Sequence, residues 1–391
     1  MLHFHQPVFV ALMVVSGLAW AVQDCDIGGV PVNPANGHTT LDKTGIMRCH
    51  DRDSGQLQRE QELRQGKFVG LVRFYRDGRL EKEFSVNEQG NRHGPGREFS
   101  TLTGKVIRED LSRNGSSIGP ARSFYPDGQL RRLSFRDDAG RELAAFEYTG
   151  RGQLRDMRCG DKALLGQEVD EAGLCGFGPG GTPVVTALYG EKGELRARLT
   201  HSNGVRVASE TFWDSGKLRS QEETTSDGSQ VERSFAQDGI KRQEVRWVQA
   251  ERGRQKEFEQ EFHDSGALVR ERRWQAGEMV NEKTFFLNGQ PRSDTGHAKR
   301  AGVAATDVRE FHDNGKLAFQ GSFLLENRSS PRAIGEHRRY DSSTRLRQMR
   351  SFDGKGRLTR EQEFDASGLM TRDDEVFEDG SRKALAVPRS P

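Results

Sequence analysis

The sequence predicts an all-β protein, built as an elongated repeat of antiparallel β-hairpins in a single-layer, solenoid-like sheet. Turn glycines recur at intervals of eleven to fourteen residues, or about twelve residues per step, over most of the chain. An aromatic residue lies four positions before many of these glycines and a leucine lies two positions after, as in Phe124, Gly128 and Leu130. These two positions face each other in an antiparallel hairpin, so each motif predicts one hairpin.

The same motif recurs along the chain and predicts the conformation of each turn. A three-residue connection that ends in a left-handed residue favours glycine, because glycine has no Cβ to clash. Asp or Asn before the glycine supplies local hydrogen bonds. We expect the aromatic residues and leucines to form a narrow buried strip. The copies are Phe74/Gly78/Leu80, Phe124/Gly128/Leu130, Tyr189/Gly193/Leu195, Phe212/Gly216/Leu218, Phe262/Gly266/Leu268, Phe311/Gly315/Leu317, Phe352/Gly356/Leu358 and Phe364/Gly368/Met370.

The composition fits a thin sheet better than compact globular domains. Of 391 residues, 33% are hydrophobic and 30% charged, which is poor material for a large core. The regular spacing of turns and aromatic residues argues against disorder. Arg and Glu alternate along the predicted strands, as in Arg360-Glu-Gln-Glu363, which favours cross-strand ion pairs. The net charge of +2 gives no sign of a nucleic-acid-binding surface.

Breaks in the repeat suggest a domain organisation. An apolar run, Val8 to Trp20, overlaps Ala19-Trp-Ala21 at its end and resembles an export signal cleaved before Val22. The run is too short to span a bilayer comfortably. We expect no transmembrane segment after cleavage. Accumulated Pro, Ser and Gly predict longer surface loops at 290–306 and 326–337. The predicted segments are a signal peptide (1–21), an N-terminal cap (22–65), repeat block 1 (66–159), an irregular junction (160–184), repeat block 2 (185–382) and a disordered tail (383–391).

The four cysteines point to an oxidising compartment. Cys25, Cys49, Cys159 and Cys175 all follow the signal segment, and an even number is consistent with two disulfides. Three pairings are possible. The local pairing, Cys25 with Cys49 and Cys159 with Cys175, closes loops where the repeat is absent or broken. Neither local pair has the spacing of a metal site. We therefore expect an exported protein, periplasmic or extracellular, with no metal and no cofactor.

The position directly after the strand-ending aromatic residue supplies the candidate partner contacts. Strand alternation would turn these side chains away from the buried strip, where exposed aromatic groups can bind a protein or a glycan. A merely solvated edge position is the alternative. The five candidates are Tyr75, Tyr125, Trp213, His263 and His312.

A catalytic interpretation has little support in the sequence. Gly115-Ser-Ser117-Ile-Gly119 matches the nucleophile elbow G-x-S-x-G by letter, with Ser117 as the nucleophile. That elbow requires a strand followed by a helix, whereas these glycines fall in a repeat turn and Pro120 follows. We predict that the protein is not an enzyme.

The repeated motif resembles a variant of the MORN repeat: aromatic, any residue, Asn or Asp, Gly, Lys, any residue, Leu. The resemblance rests on Phe212-Trp-Asp-Ser-Gly-Lys-Leu218 and Phe311-His-Asp-Asn-Gly-Lys-Leu317. Bacterial proteins of this family are often exported and labelled as antitoxins of toxin-antitoxin systems. The resemblance implies a binding protein whose partner is a toxin or effector, and it supplies no catalytic residues. An envelope structural protein that binds glycan or peptidoglycan is the alternative.

Overall fold

The computed structural model describes residues 23–325 and 331–385, and within them the protein is nearly all β, as predicted. Strands make up 60% of the structure and helices 4%, and all strand pairs are antiparallel in two open meanders. The chain divides into two compact units, Met1–Asp170 and Glu171–Pro391. The unit boundary falls inside the predicted junction at 160–184. The predicted signal segment, 1–21, lies outside the described residues.

The first unit contains a sheet of twelve described strands in the order β12-β11-β10-β9-β8-β7-β6-β5-β4-β3-β1-β2. The predicted N-terminal cap therefore extends the sheet with strands of its own. A short helix, α1 (Gly37–Thr40), and a 3-10 turn (Gly166–Glu168) accompany it. The strands are β1 (Gln23–Ile27), β2 (Val30–Val32), β3 (Gly45–Asp51), β4 (Leu57–Arg64), β5 (Lys67–Arg76), β6 (Arg79–Val86), β7 (Arg92–Phe99), β8 (Val106–Arg113), β9 (Ser116–Phe124), β10 (Leu130–Arg136), β11 (Glu142–Tyr148) and β12 (Leu154–Arg158).

The second unit contains a sheet of seventeen described strands in sequence order. Helix α2 (Glu171–Cys175) and a 3-10 turn (Pro179–Gly181) precede it. The strands are β13 (Val184–Tyr189), β14 (Leu195–Ser202), β15 (Val205–Phe212), β16 (Leu218–Thr224), β17 (Gln230–Phe235), β18 (Lys241–Ala250), β19 (Gly253–Phe262), β20 (Leu268–Gln275), β21 (Glu278–Phe285), β22 (Pro291–Arg300), β23 (Val303–Phe311), β24 (Leu317–Leu324), β25 (Arg332–Tyr340), β26 (Leu346–Phe352), β27 (Leu358–Phe364), β28 (Met370–Val376) and β29 (Arg382–Ala384). The first two residues of the predicted tail thus belong to β29, and residues 386–391 lie outside the described range.

The hairpin register follows the sequence motif. Phe212 lies opposite Leu218, and the amide of Gly216 donates a 2.8 Å hydrogen bond to the carbonyl of Trp213. Gly216 has a φ of 78°, the left-handed conformation expected at the end of a three-residue connection. The same opposition joins Tyr189 to Leu195, Phe124 to Leu130, Phe262 to Leu268, Phe311 to Leu317, Phe352 to Leu358 and Phe364 to Met370.

The copy at Gly78 departs from this register. Tyr75, and not Phe74, lies opposite Leu80. The turn has only two residues, Asp77 and Gly78, and both have positive φ, at 49° and 71°. That geometry matches a type I′ turn, which shortens the connection by one residue and shifts the pairing.

The prediction of a surface loop at 290–306 is wrong. Strands β22 and β23 occupy most of it, joined by a two-residue turn at Ala301 and Gly302. Pro291 occupies the first position of β22, where a missing N–H is tolerated. The sequence does not predict these two strands, because polar residues occupy both of their faces and remove the alternation of apolar and polar residues. The second half of the loop predicted at 326–337 is likewise a strand, since β25 begins at Arg332, and residues 326–330 lie outside the described residues.

Full burial is concentrated in the first unit. Cys25, Val32, Met47, Cys49 and Leu63 form a core cluster at its N-terminal end. Cys25 and Cys49 are directly opposed on β1 and β3 and form a disulfide. The two remaining cysteines, Cys159 and Cys175, are also disulfide-bonded. Of the three possible pairings, the local one is therefore present.

The structure corrects the extent of burial in the predicted strip of aromatic residues. Phe124, Phe212, Phe262 and Phe311 are only half-buried. The reason is that each strand packs mainly on its neighbours within its own sheet. The centre of the second sheet is instead occupied by ion pairs of the predicted cross-strand kind. The guanidinium of Arg272, for example, contacts Glu259, Glu261 and Glu282 at 2.7–3.3 Å.

Candidate functional site

Three of the predicted partner-contact residues hold adjacent turns together. Tyr125, Trp213 and His312 are half-buried at the first position of their turns. Each side chain hydrogen-bonds the main-chain carbonyl of the aromatic residue that enters the next turn on the same sheet edge. These bonds satisfy carbonyl groups at strand ends. The pairs are Tyr125 Oη to Tyr148 O at 2.8 Å, Trp213 Nε1 to Phe235 O at 3.2 Å and His312 Nε2 to Tyr340 O at 3.0 Å.

The other two predicted contacts have different surroundings. His263 is exposed, and its Nδ1 accepts a 3.1 Å hydrogen bond from the amide of Ser265 within its own turn. Tyr75 is a strand residue whose hydroxyl donates a 2.8 Å hydrogen bond to Glu60. Burial, together with that bond, raises the pKa of Tyr75. Of the five, only His263 is therefore exposed.

The more promising surface is a groove lined by residues of strands β19–β23 and of the turn between β21 and β22, here called the apolar groove. It has a volume of about 880 Å³ and lies beside three consecutive turns of one sheet edge, those that contain His263, Phe286 and His312. Its apolar lining comes from the ends of the strands and from one turn. The lining residues are Glu261, Val269, Arg270, Thr284, Phe285, Phe286, Leu287, Arg292, Ser293, Glu310 and Phe311.

Leu287 is the most unusual residue of the apolar groove. Leu287 is 60% exposed and is the second residue of the turn that runs from Phe286 to Gly289. In the matching turns this position holds Pro126, Asp214, Asp264, Asp313 and similar polar or small residues. A leucine there contributes nothing evident to the turn and exposes apolar surface. The neighbouring Phe286 occupies the position of the predicted partner contacts, so the two form an apolar tip.

Charged side chains surround the apolar tip, and not all of them are paired with a group of opposite charge. Arg270 pairs with Glu261 at 3.2 Å, and the guanidinium of Arg292 lies 6.0 Å from the centre of the Phe286 ring. Glu310 makes no ion pair among the described residues. This combination of an apolar anchor with a charged rim is typical of protein–protein contacts.

The sequence motif missed this copy for a simple reason. The position two residues after Gly289 is Pro291 and not leucine, so Phe285 was not recognised as a strand-ending aromatic residue. Phe285 nevertheless lies opposite Pro291, in the register of the other copies. The signal that could have found the site is the apolar pair Phe286-Leu287 in a turn that is otherwise polar.

The structure assigns the motif around Ser117 to a hairpin. Asn114 and Gly115 form a two-residue turn with φ values of 49° and 90°, and strand β9 follows. Ser117 lies opposite Ser112 of β8. The strand–turn–helix context of a nucleophile elbow is absent at this position. Within the described residues there is also no group of three His, Cys, Asp or Glu side chains placed to hold a metal ion.

Comparisons with known proteins give no functional relative. No family model and no curated protein matches the chain. Among solved structures, TarM is 13% identical over 30% of this chain and 18% of its own, with a TM-score of 0.15. The complex TcdB2-TccC3 is 10% identical over 90% of this chain and 25% of its own, with a TM-score of 0.19. A Photorhabdus luminescens Tc holotoxin pore structure is 10% identical over 87% of this chain and 23% of its own, with a TM-score of 0.18. Similarity this weak carries no argument about function.

Proposed function

We propose that this chain is a non-enzymatic, exported binding protein that docks a protein partner at the apolar groove. The exposed leucine of the apolar tip carries this proposal, because a large apolar side chain at an otherwise polar turn position has no evident structural role. Exposed apolar groups rimmed by polar ones mark interaction sites, and a few such anchors dominate binding energy.

The size of the apolar groove suits one or two partner side chains. Phe285 and Phe311 supply apolar walls, while Glu310 and Arg292 offer a charge of each sign at the rim. The partner would insert an apolar side chain beside Phe286 and Leu287. The resemblance to the MORN-repeat variant suggests a toxin or effector as that partner. The disulfides support export, because such bonds persist mainly in oxidising compartments.

Affinity capture from the protein's own cell envelope tests the proposal. Wild-type protein and a Leu287→Asp variant are used as parallel baits, with Phe377→Asp as the matched control. Phe377 is 45% exposed at a turn on the opposite edge of the same sheet. We expect one protein to be retained by wild type and by Phe377→Asp but lost with Leu287→Asp. Equal retention by all three baits, or retention of peptidoglycan alone, would contradict a protein partner at this groove.

Export has its own test. The intact mass of the protein from cells should correspond to a chain starting at Val22 with no free thiols. An intact Met1 with reactive cysteines would exclude export.

A further inference from the structure

A second, polar groove crosses strands β20–β25. It has a volume of about 760 Å³. Its lining residues and those of the apolar groove have no member in common. The polar groove is therefore separate from the proposed docking site.

The floor of the polar groove is a row of small side chains. Asn281, Gly296, Asp307 and Ser322 lie directly opposite one another on β21, β22, β23 and β24, and Arg273 of β20 continues the row. Five strands at a spacing of about 4.8 Å give a trough roughly 19 Å long. At about 3.3 Å per residue, an extended peptide of roughly six residues fits this length.

Gly296 has no local structural reason to be glycine. Its φ is not positive, and a Cβ built there would meet only the carbonyl oxygen of Asp307, at 3.9 Å. Other described strand glycines are explained by positive φ or by close neighbours. At Gly96 and at Gly321, for example, a Cβ would lie 2.7 Å from Asp110 and from His337, respectively. A strand glycine costs stability and often marks the close approach of a ligand.

The charges of the polar groove leave one cation in excess. Its three lining carboxylates already have partners: Asp294 with Arg309 at 2.7 Å, Asp307 with Arg300 at 2.5 Å and Glu336 with Arg338 at 2.5 Å. Lys283 projects from the row beside the floor, directly opposite Asp294 in the ladder. Its ammonium makes no ion pair among the described residues, and the residue as a whole is half-buried. A lysine without an ion-pair partner favours an anionic ligand.

We propose that the polar groove binds an extended acidic peptide segment, with one ligand carboxylate on Lys283 and the peptide backbone passing over Gly296. The amides of Asn281 and Gln320 and the hydroxyl of Ser322 offer donors and acceptors for peptide groups. A nucleic acid is a poorer match, because no aromatic residue lines the groove for base stacking and one lysine without an ion-pair partner cannot match a run of phosphates.

Fluorescence anisotropy with labelled hexaglutamate tests this proposal on the full chain. Lys283→Gln removes the uncompensated charge, and Gly296→Leu fills the floor without backbone strain. The control variants Lys355→Gln and Gly354→Leu lie outside the groove, and Gly354 also has ordinary φ and open space around it. We expect hexaglutamate to bind wild type and both controls equally, and to bind Lys283→Gln and Gly296→Leu about tenfold more weakly with unchanged melting temperatures.

Four outcomes would overturn the proposal, and the first three come from the hexapeptide measurements. These are no binding of hexaglutamate to wild type, equal binding to all variants, or equally tight binding of hexalysine. A single-stranded oligonucleotide that binds more tightly than hexaglutamate and depends on Lys283 would overturn it in favour of a nucleic acid. Because the two grooves share no lining residue, none of these results bears on the partner proposed for the apolar groove.

Discussion

The indole Nε1 of Trp213 donates a 3.2 Å hydrogen bond to the main-chain carbonyl of Phe235, which enters the next turn on the same sheet edge. Without that donor, the carbonyl at this strand end would depend on water. The same link in the first unit joins Tyr125 to Tyr148. A residue that the sequence suggests as a partner contact therefore also ties neighbouring hairpins together.

Trp213→Phe should destabilise the protein by about 1 kcal/mol, the usual net contribution of one such hydrogen bond. Phenylalanine keeps an apolar ring but has no donor for the Phe235 carbonyl. Urea unfolding of the full chain measures the change. Tyr125→Phe tests the equivalent hydrogen bond, to the Tyr148 carbonyl, in the first unit. If both variants unfold at the wild-type urea concentration, these side-chain bonds do not stabilise the turns.

Thr344→Gly should stabilise the protein by roughly 1 kcal/mol, because a β-branched residue in the left-handed region is strained. Thr344 has a φ of 72° and its amide donates a 2.8 Å hydrogen bond to the Asp341 carbonyl, which is the role of glycine in the other turns. The previous turn on that edge uses Gly315, with a φ of 77°. The melting temperature of Thr344→Gly should rise, whereas that of Thr371→Gly, inside strand β28, should fall. A lower melting temperature for Thr344→Gly would refute the proposed strain.

Gly216→Val should destabilise the protein more than Lys217→Val. Valine at Gly216 would have to adopt a φ of 78°, whereas position 217 does not have positive φ. Thermal unfolding of the two single variants compares them directly. Equal melting temperatures would mean that the turn can change its conformation without cost.

The pH dependence of stability should reflect Glu361 on β27. Its burial raises the pKa, but hydrogen bonds from Arg382 and Arg350, at 2.5 and 2.8 Å, more than offset this effect and leave the pKa below the ordinary value. A lowered pKa means that the stabilisation is fully present above the unfolded-state pKa of about 4.3 and is lost as the pH falls through the folded-state pKa. Arg382 lies on β29, so the last strands should loosen first.

Urea unfolding between pH 7 and pH 3 tests this dependence. Glu361→Gln should be less stable than wild type at pH 7 and should lose less stability on acidification. Glu375→Gln is the matched control, since Glu375 is exposed on the adjacent strand and makes no ion pair among the described residues. A wild-type pH profile for Glu361→Gln would show that the ion pairs of Glu361 do not stabilise the fold.

The fold could be predicted from the sequence because the residues that determine each turn are close together in the chain. Glycine at φ > 0, as in Gly216, and an aromatic residue opposite a leucine, as in Phe212 and Leu218, determine each hairpin without help from the rest of the chain. Where a residue of the hairpin motif is replaced, the motif does not predict the hairpin. The turn at Thr344 has no glycine, and Pro291 replaces the expected leucine.

Neither groove could be read from the hairpin motif. The polar groove depends on side chains from β20 to β25 that become neighbours only through strand pairing, and its floor at Gly296 lies in a segment predicted to be a loop. The apolar groove depends on exposure, and the exposed fraction of Leu287 follows from the turn position and not from its residue type. Burial also differed from expectation, because a sheet in which each strand packs on its own neighbours leaves Phe212 only half-buried.

The affinity of the captured partner for three forms of the purified protein tests the central claim most directly. Isothermal titration should give the same Kd for wild type and Phe377→Asp, and a Kd at least about tenfold weaker for Leu287→Asp, since truncating an interface anchor commonly costs more than 1 kcal/mol. All three forms should melt at the same temperature, because Leu287 and Phe377 are exposed at turns. A wild-type Kd for Leu287→Asp would contradict docking at the apolar groove.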